Sequence, residues 1–258
     1  MIDKILKNLL EHKILILDGA MGTMIQKHSL TENDFRGNEF RNINKLVKGN
    51  NDLLNITQPN LIRDIHKKYL EAGADIIETN TFNSTKVSQS DYNLEDSAYD
   101  LNFTGAKIAR EVTDKFMIDN PKEKRFVAGI LGPTSRTCSM SPDVNDPGFR
   151  NINFDELKSD YYSCIDALIQ GGVDIIFVET IFDTLNAKAA LIAIKEYEKK
   201  NKKKIPLMIS VTITDLSGRT LSGQTLEAFY YSVIFSKPIS IGLNCALGPK
   251  ELEQYVAE

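Results

Sequence analysis

Apolar residues along this chain fall into two alternating patterns. Short continuous runs mark strands buried on both faces, and longer stretches with apolar positions three and four apart mark amphipathic helices. Leu6 to Leu10 suggest a short N-terminal helix, and Ile14-Leu-Ile-Leu17 then reads as a strand. Asp52-Leu-Leu-Asn-Ile-Thr57 carries a weaker run, giving a second strand over 53–56. Pro59 opens a helix with Leu61, Ile62, Ile65, Tyr69 and Leu70 on one face, and Gly73 stops it. His66 falls between those positions and reads as a solvated helix residue.

The alternation continues. Strands are predicted at 75–79, 126–131, 174–179, 207–212 and 239–243. Between them lie a long helix with Ala98, Leu101, Gly105, Ile108, Ala109, Val112 and Phe116 as its stripe, and a helix over 155–170. Thr184 and Thr225 stand as N-caps of two more helices, and Pro249 begins a last one. Cys164 lies in the stripe of the 155–170 helix and reads as core. Residues 26–52 are polar and irregular, longer than an ordinary connection, and read as a functional loop or lid.

Ala72-Gly-Ala-Asp-Ile-Ile-Glu-Thr-Asn-Thr-Phe82 is echoed by Gly171-Gly-Val-Asp-Ile-Ile-Phe-Val-Glu-Thr-Ile-Phe182. Each is a helix stop, a strand and an acidic exit. Repeated βα units predict a parallel α/β sheet. A closed (β/α)8 TIM barrel needs eight such units. The expectation is that fold, truncated to about seven βα units, with 1–258 a single domain incomplete at its C-terminus.

Composition narrows the setting. The chain has 258 residues, 42% hydrophobic and 26% charged, with a net charge of −4. That mix suits one large globular domain and argues against nucleic acid or an anionic membrane as partner. No apolar run approaches the ~20 residues needed to span a bilayer. The N-terminus has no signal-peptide core. Three widely spaced cysteines do not make a disulfide framework, so the cytoplasm is the expected compartment.

In a barrel the strand C-termini share one face. This chain places there Asp18, Glu78, Glu179, Asp215 and Cys245, together with the glycine turn 19–22. Carboxylates suit an ammonium, and exposed amides of a glycine-rich turn suit a carboxylate. Together they suit a small zwitterionic ligand, and a nearby thiol suits sulfur chemistry or zinc.

Asp18-Gly-Ala-Met-Gly-Thr23, Asn80-Thr-Phe-Asn-Ser84, Gly132-Pro-Thr134, Val178-Glu-Thr180 and Gly242-Leu-Asn-Cys245 resemble the signature segments of the homocysteine S-methyltransferase family. Asp34-Phe-Arg-Gly37, Lys48-Gly-Asn-Asn-Asp-Leu-Leu54, Glu78-Thr-Asn-Thr-Phe-Asn-Ser-Thr85 and Ser141-Pro-Asp-Val-Asn-Asp-Pro-Gly-Phe-Arg150 resemble the N-terminal homocysteine-binding module of cobalamin-dependent methionine synthases. The similarity runs from about Leu15 to the end of the chain. It implies a zinc-activated homocysteine thiolate that accepts a methyl group from methylcobalamin to give methionine. A free thiol of pKa ~8.5 is mostly protonated at neutral pH, and coordination to zinc removes that proton.

By matching position, Cys245 is implied as a zinc ligand. Asp18 and Glu179 are implied as contacts of the homocysteine amino group, backbone around Gly19, Ala20 and Met21 as the carboxylate site, and Asn244 as the pocket wall beside the metal. L-homocysteine is the implied ligand, with the cobalamin and folate modules of the full synthase as partners. The family's other two zinc cysteines form a Cys-Cys pair after the eighth strand, and Cys138 and Cys164 do not match them. Two alternatives follow: a chain inactive by itself for lack of two zinc cysteines, or a cobalamin-independent enzyme of the betaine or S-methylmethionine type.

Overall fold

The computed structural model describes residues 2–257. Its helices are α1 (Ile2–Leu10), α2 (Met21–Gln26), α3 (Glu32–Arg36), α4 (Leu54–Thr57) and α5 (Pro59–Glu71), followed by strand β1 (Ile76–Glu78). Then come α6 (Lys86–Gln89), α7 (Ala98–Asp119), β2 (Phe126–Leu131), α8 (Phe154–Gln170) and β3 (Ile175–Ile181). The chain continues through α9 (Thr184–Asn201), β4 (Leu207–Val211), α10 (Leu226–Val233), β5 (Ser240–Leu243) and α11 (Pro249–Ala257). The strands form one parallel sheet in the order β1-β2-β3-β4-β5. Sequential order with helical crossovers is the βα repeat the apolar pattern predicts.

Two expected strands differ. The run 14–17 joins the sheet only through a parallel bridge from Leu17 to Ile76. Ile14 and Ile16 project outward, 84% and 53% exposed, so this is a bare edge and not a strand buried on both faces. Residues 53–56 are helical: a 3-10 turn over Asn51–Leu53 runs into α4. Leu53 and Leu54 are both fully buried, and the Asn55 amide donates to the carbonyls of Asn80 and Leu101. A four-residue apolar run has no period that separates strand from helix, and here packing against α5 and α7 decides. The described sheet is therefore an open arc of five strands plus one bridged segment, not a closed barrel.

The strands sort their side chains by parity. On β3, Ile176 and Val178 face the outer layer, packing with Leu157, Tyr161 and Leu168 of α8 and Leu191 and Ile194 of α9. Ile175 and Phe177 face inward, where Ile76, Ala128, Ile130 and Met208 meet Leu6 of α1. Leu6 is 1% exposed, so α1 covers the inner face of the sheet. The same parity aims Glu78, two after Ile76, and Glu179, two after Phe177, to the inside.

Residues 26–52 are a packed layer and not a free lid. Ile25, Phe35, Phe40 and Val47 are buried with Leu53, Ile62 and Leu101. Thr31 and Asp34 form a capping box on α3, and Glu32 accepts from the amides of Val47 and Lys48. His66 is fully buried in α5, against the expectation of a solvated residue, and neither ring nitrogen has a partner. The cap of α9 is Asp183, one residue before Thr184, and accepts from the amides of Leu185 and Asn186. Thr225 caps α10 as expected.

Candidate active site

Three carboxyl groups converge where the strands end on the inner side. Asp18 follows the bridged segment, and its amide donates to the Ile76 carbonyl at 2.9 Å. Its Oδ2 accepts from the Glu78 amide at 3.0 Å, while its Oδ1 is buried with no partner. Glu78 and Glu179 both line a cavity of about 330 Å³ with Leu17, Ile76, Phe177, Met208 and Asn244. Burial in this apolar setting disfavours ionisation of all three. It pushes Asp18 up to about 7, with the Glu179 charge adding and the Glu78 amide opposing. It pushes Glu78 up to about 9, with Glu179 and Asp18 adding. It pushes Glu179 up to about 7, with the Thr180 hydroxyl opposing.

A bulge in β3 lies directly at and after Glu179. The register with β4 shifts between Val178 and Ile181, and Thr180 takes a left-handed backbone, φ 56°. Thr180 is held there from two sides: its amide donates to Ser210 Oγ at 3.2 Å, and its hydroxyl accepts from the Asn244 amide at 2.7 Å. The Asn244 carbonyl in turn accepts from Thr212 Oγ1 at 3.3 Å. Asn244 thus ties the exit of β5 to the bulge beside Glu179. No feature of the sequence marks Thr180, Ser210 or Thr212 for this role, because the contacts join strand ends far apart in the chain.

The turn after Asp18 is open to solvent. Gly19 and Ala20 are exposed, and among the described residues the amides of Gly19, Ala20 and Met21 donate to no protein acceptor. A Cβ on Gly19 would stand 3.0 Å from the Tyr69 ring, whose hydroxyl donates to the Ala20 carbonyl. Tyr69, read from the sequence as a helix-stripe residue, is therefore the wall behind this turn.

Cys245 follows Asn244 in a left-handed turn, φ 60°, with Ala246 at φ 58°. Its thiol is exposed, and β5 itself is a half-exposed edge strand, not the buried strand expected of the run 239–243. The other thiols lie elsewhere. Cys164 is buried in the α8 stripe as expected. Cys138 is buried in the outer core, its amide donating to Asn186 Oδ1, and burial with the Asp183 charge pushes its thiol up to about 11. Asp215 does not join the cluster: it is exposed in a turn, accepting from the Ser217 amide.

Zinc is tested by this donor set. Among the described residues no group of three or more His, Cys, Asp or Glu side chains stands arranged to hold a metal ion. Cys245 is the one accessible thiol, whereas a structural or catalytic zinc takes three or four protein ligands. The described residues do not by themselves fit a three-thiolate site.

The fold is shared with the homocysteine methyltransferase MmuM from Escherichia coli in its metallated form, at 20% identity and a TM-score of 0.74, over 95% of this chain and 79% of that one. The apo form of the same protein matches at 20% identity and a TM-score of 0.67, over 94% of this chain and 76% of that one. The sequence profile of homocysteine S-methyltransferases matches residues 15–258, nearly the whole length, from the bridged segment before Asp18 onward. By that match, the chain belongs to the homocysteine S-methyltransferase family and is a methyltransferase.

Proposed function

We propose that this chain is the homocysteine-binding module of a cobalamin-dependent methionine synthase, in which the sulfur of homocysteine accepts a methyl group from methylcobalamin. The observation that carries the reading is the cluster of inward carboxyls beside a solvent-facing glycine turn, with Asn244 of the cavity wall followed directly in the chain by the exposed Cys245. Asp18 and Glu179 receive the substrate ammonium, and the amides of Gly19, Ala20 and Met21 receive its carboxylate. Asn244 holds Thr180, and through it Glu179, in register with Cys245. The apolar cavity walls exclude water from the ammonium and strengthen its attraction to the carboxylates.

The choice of methylcobalamin rests on the segment Ser141 to Arg150, which resembles the cobalamin-dependent branch. Arg150 Nε donates to the Cys138 carbonyl at 3.0 Å, anchoring that loop at the exit of β2. The cobalamin and folate modules of such a synthase are the partners this reading implies, and a cytoplasmic setting agrees with three unbridged cysteines. Among the described residues no helix is long and apolar enough to cross a membrane. Among the described residues Cys245 is the one accessible thiol for zinc. That same observation favours a second reading, in which homocysteine binds but this chain alone transfers no methyl group.

The test is methyl transfer to homocysteine by the purified chain, with methylcobalamin, S-methylmethionine or betaine as donor, beside zinc analysis. Turnover with methylcobalamin supports the first reading, and turnover with either of the others alone overturns it. Homocysteine binding with no turnover and no stoichiometric zinc selects the second.

A further inference from the structure

Glu78 belongs to the carboxyl cluster, yet neither the ammonium nor the carboxylate of the substrate falls to it. Among the described residues no N–H or O–H group donates to its carboxyl, and its charged neighbours are Glu179 and Asp18, both acids. Among the described residues the cavity it lines has no lysine, arginine or histidine, and its polar walls besides the two glutamates are Ser210, Ser240 and Asn244. The remaining titratable group facing the cluster is Tyr69, against Asp18. Three carboxylates in one apolar pocket without a cation cannot all ionise together.

The two neighbours have reasons to give up their protons that Glu78 lacks. Asp18 accepts from the Glu78 amide, and Glu179 is favoured as carboxylate by the Thr180 hydroxyl. The buried Oδ1 of Asp18 also lacks a donor. A buried acceptor left unmade is costly, so this oxygen calls for an N–H or O–H from something in the pocket.

We propose that Glu78 is a positioning residue that works as a neutral carboxylic acid, donating its O–H to the Asp18–Glu179 pair in the empty site and yielding that place to the ammonium of an amino-acid substrate. This rests on the homocysteine reading and deepens it. On binding, any proton held by Asp18 or Glu179 leaves to solvent, and Glu78 keeps its own. The pocket then presents two negative charges to one ammonium, and selects a free primary amine over an N-acylated or hydroxy-acid analogue. Burial that raises Glu78 to about 9 agrees with a proton retained at neutral pH.

Two measurements test it. Infrared difference spectra of the wild-type chain against E78Q at neutral pH should contain the C=O stretch of a protonated carboxylic acid, converting to carboxylate only near pH 9. Absence of that band overturns the proposal without reference to any ligand. Calorimetric titration with homocysteine should find E78Q, which keeps a neutral donor, within about threefold of the wild type, and E78A, which loses the group that the ammonium displaces, no weaker than the wild type. Losses of tenfold or more for both E78Q and E78A mean that Glu78 acts as a charge, and overturn the proposal. If E78A fails to fold, E78Q beside the wild type still decides, because a charge-bearing role costs E78Q tenfold or more. A wild-type chain with the infrared band but no affinity for homocysteine sinks the substrate reading while the protonation of Glu78 stands.

Discussion

His66 is the clearest case of a residue whose surroundings set its chemistry. With both ring nitrogens buried and unpartnered, desolvation lowers its pKa from 6.5 to about 4. A depressed base binds fewer protons folded than unfolded. Its contribution is therefore fully present above pH 6.5 and is lost as pH falls through 4. The loss between those limits is on the order of 3 kcal/mol. His66→Leu removes two unsatisfied nitrogens from a core site and should stabilise the fold by about 1–3 kcal/mol, with a flatter acid limb. Urea unfolding at pH 7 and pH 5 measures both. Gly132 is the opposite case, a residue that tolerates no addition. A Cβ there would stand 2.2 Å from the Phe82 carbonyl. Gly132→Ala should cost about 1–3 kcal/mol, read as a lower urea midpoint, because backbone must shift to make room.

At the scale of elements, the site is a property of strand exits. β1 and β3 arise from echoed segments, and each carries an inward glutamate near its exit because the acid falls two residues after an inward apolar side chain. The bulge at Thr180 breaks the alternation just after Glu179, and Asn244 holds it. Asn244→Ala removes two hydrogen bonds between strand ends and should destabilise the chain by about 1–2 kcal/mol. Thermal unfolding checks the magnitude, and weaker homocysteine binding than the stability loss explains checks the positioning role. Helix α4 illustrates the limit of apolar patterns. The Leu53-Leu54 pair at its start reads equally as strand or helix, and the hydrogen bonds of Asn55 to Asn80 and Leu101 tie it into the helical layer.

For the molecule as a whole, the open arc leaves two sheet edges among the described residues. One carries the exposed Ile14 and Ile16; the other is the half-exposed β5. Unpaired edges with apolar side chains template association with another chain. Ile16→Lys should lower the oligomer fraction of the purified chain in light scattering at equal concentration, leaving its far-UV circular dichroism unchanged. Its backbone bonds to Asp75 and Ile76 do not depend on the side chain.

The sequence by itself determined the βα alternation, the parallel sheet, the acids at strand exits and the family, since each is written in residues close together in the chain. A strand's exit is a local feature, so Glu78 and Glu179 could be placed together at one end of the sheet before any contact was known. What the tertiary structure alone decided depends on residues brought together from far apart. It placed Asp18 against the Glu78 amide, left its second oxygen without a donor, and set Asp215 out in solvent. It buried His66 and Cys138, turned the run 53–56 into helix, and made a packed layer of 26–52. Burial and charge proximity are sums over neighbours, and those neighbours exist only once the chain has folded.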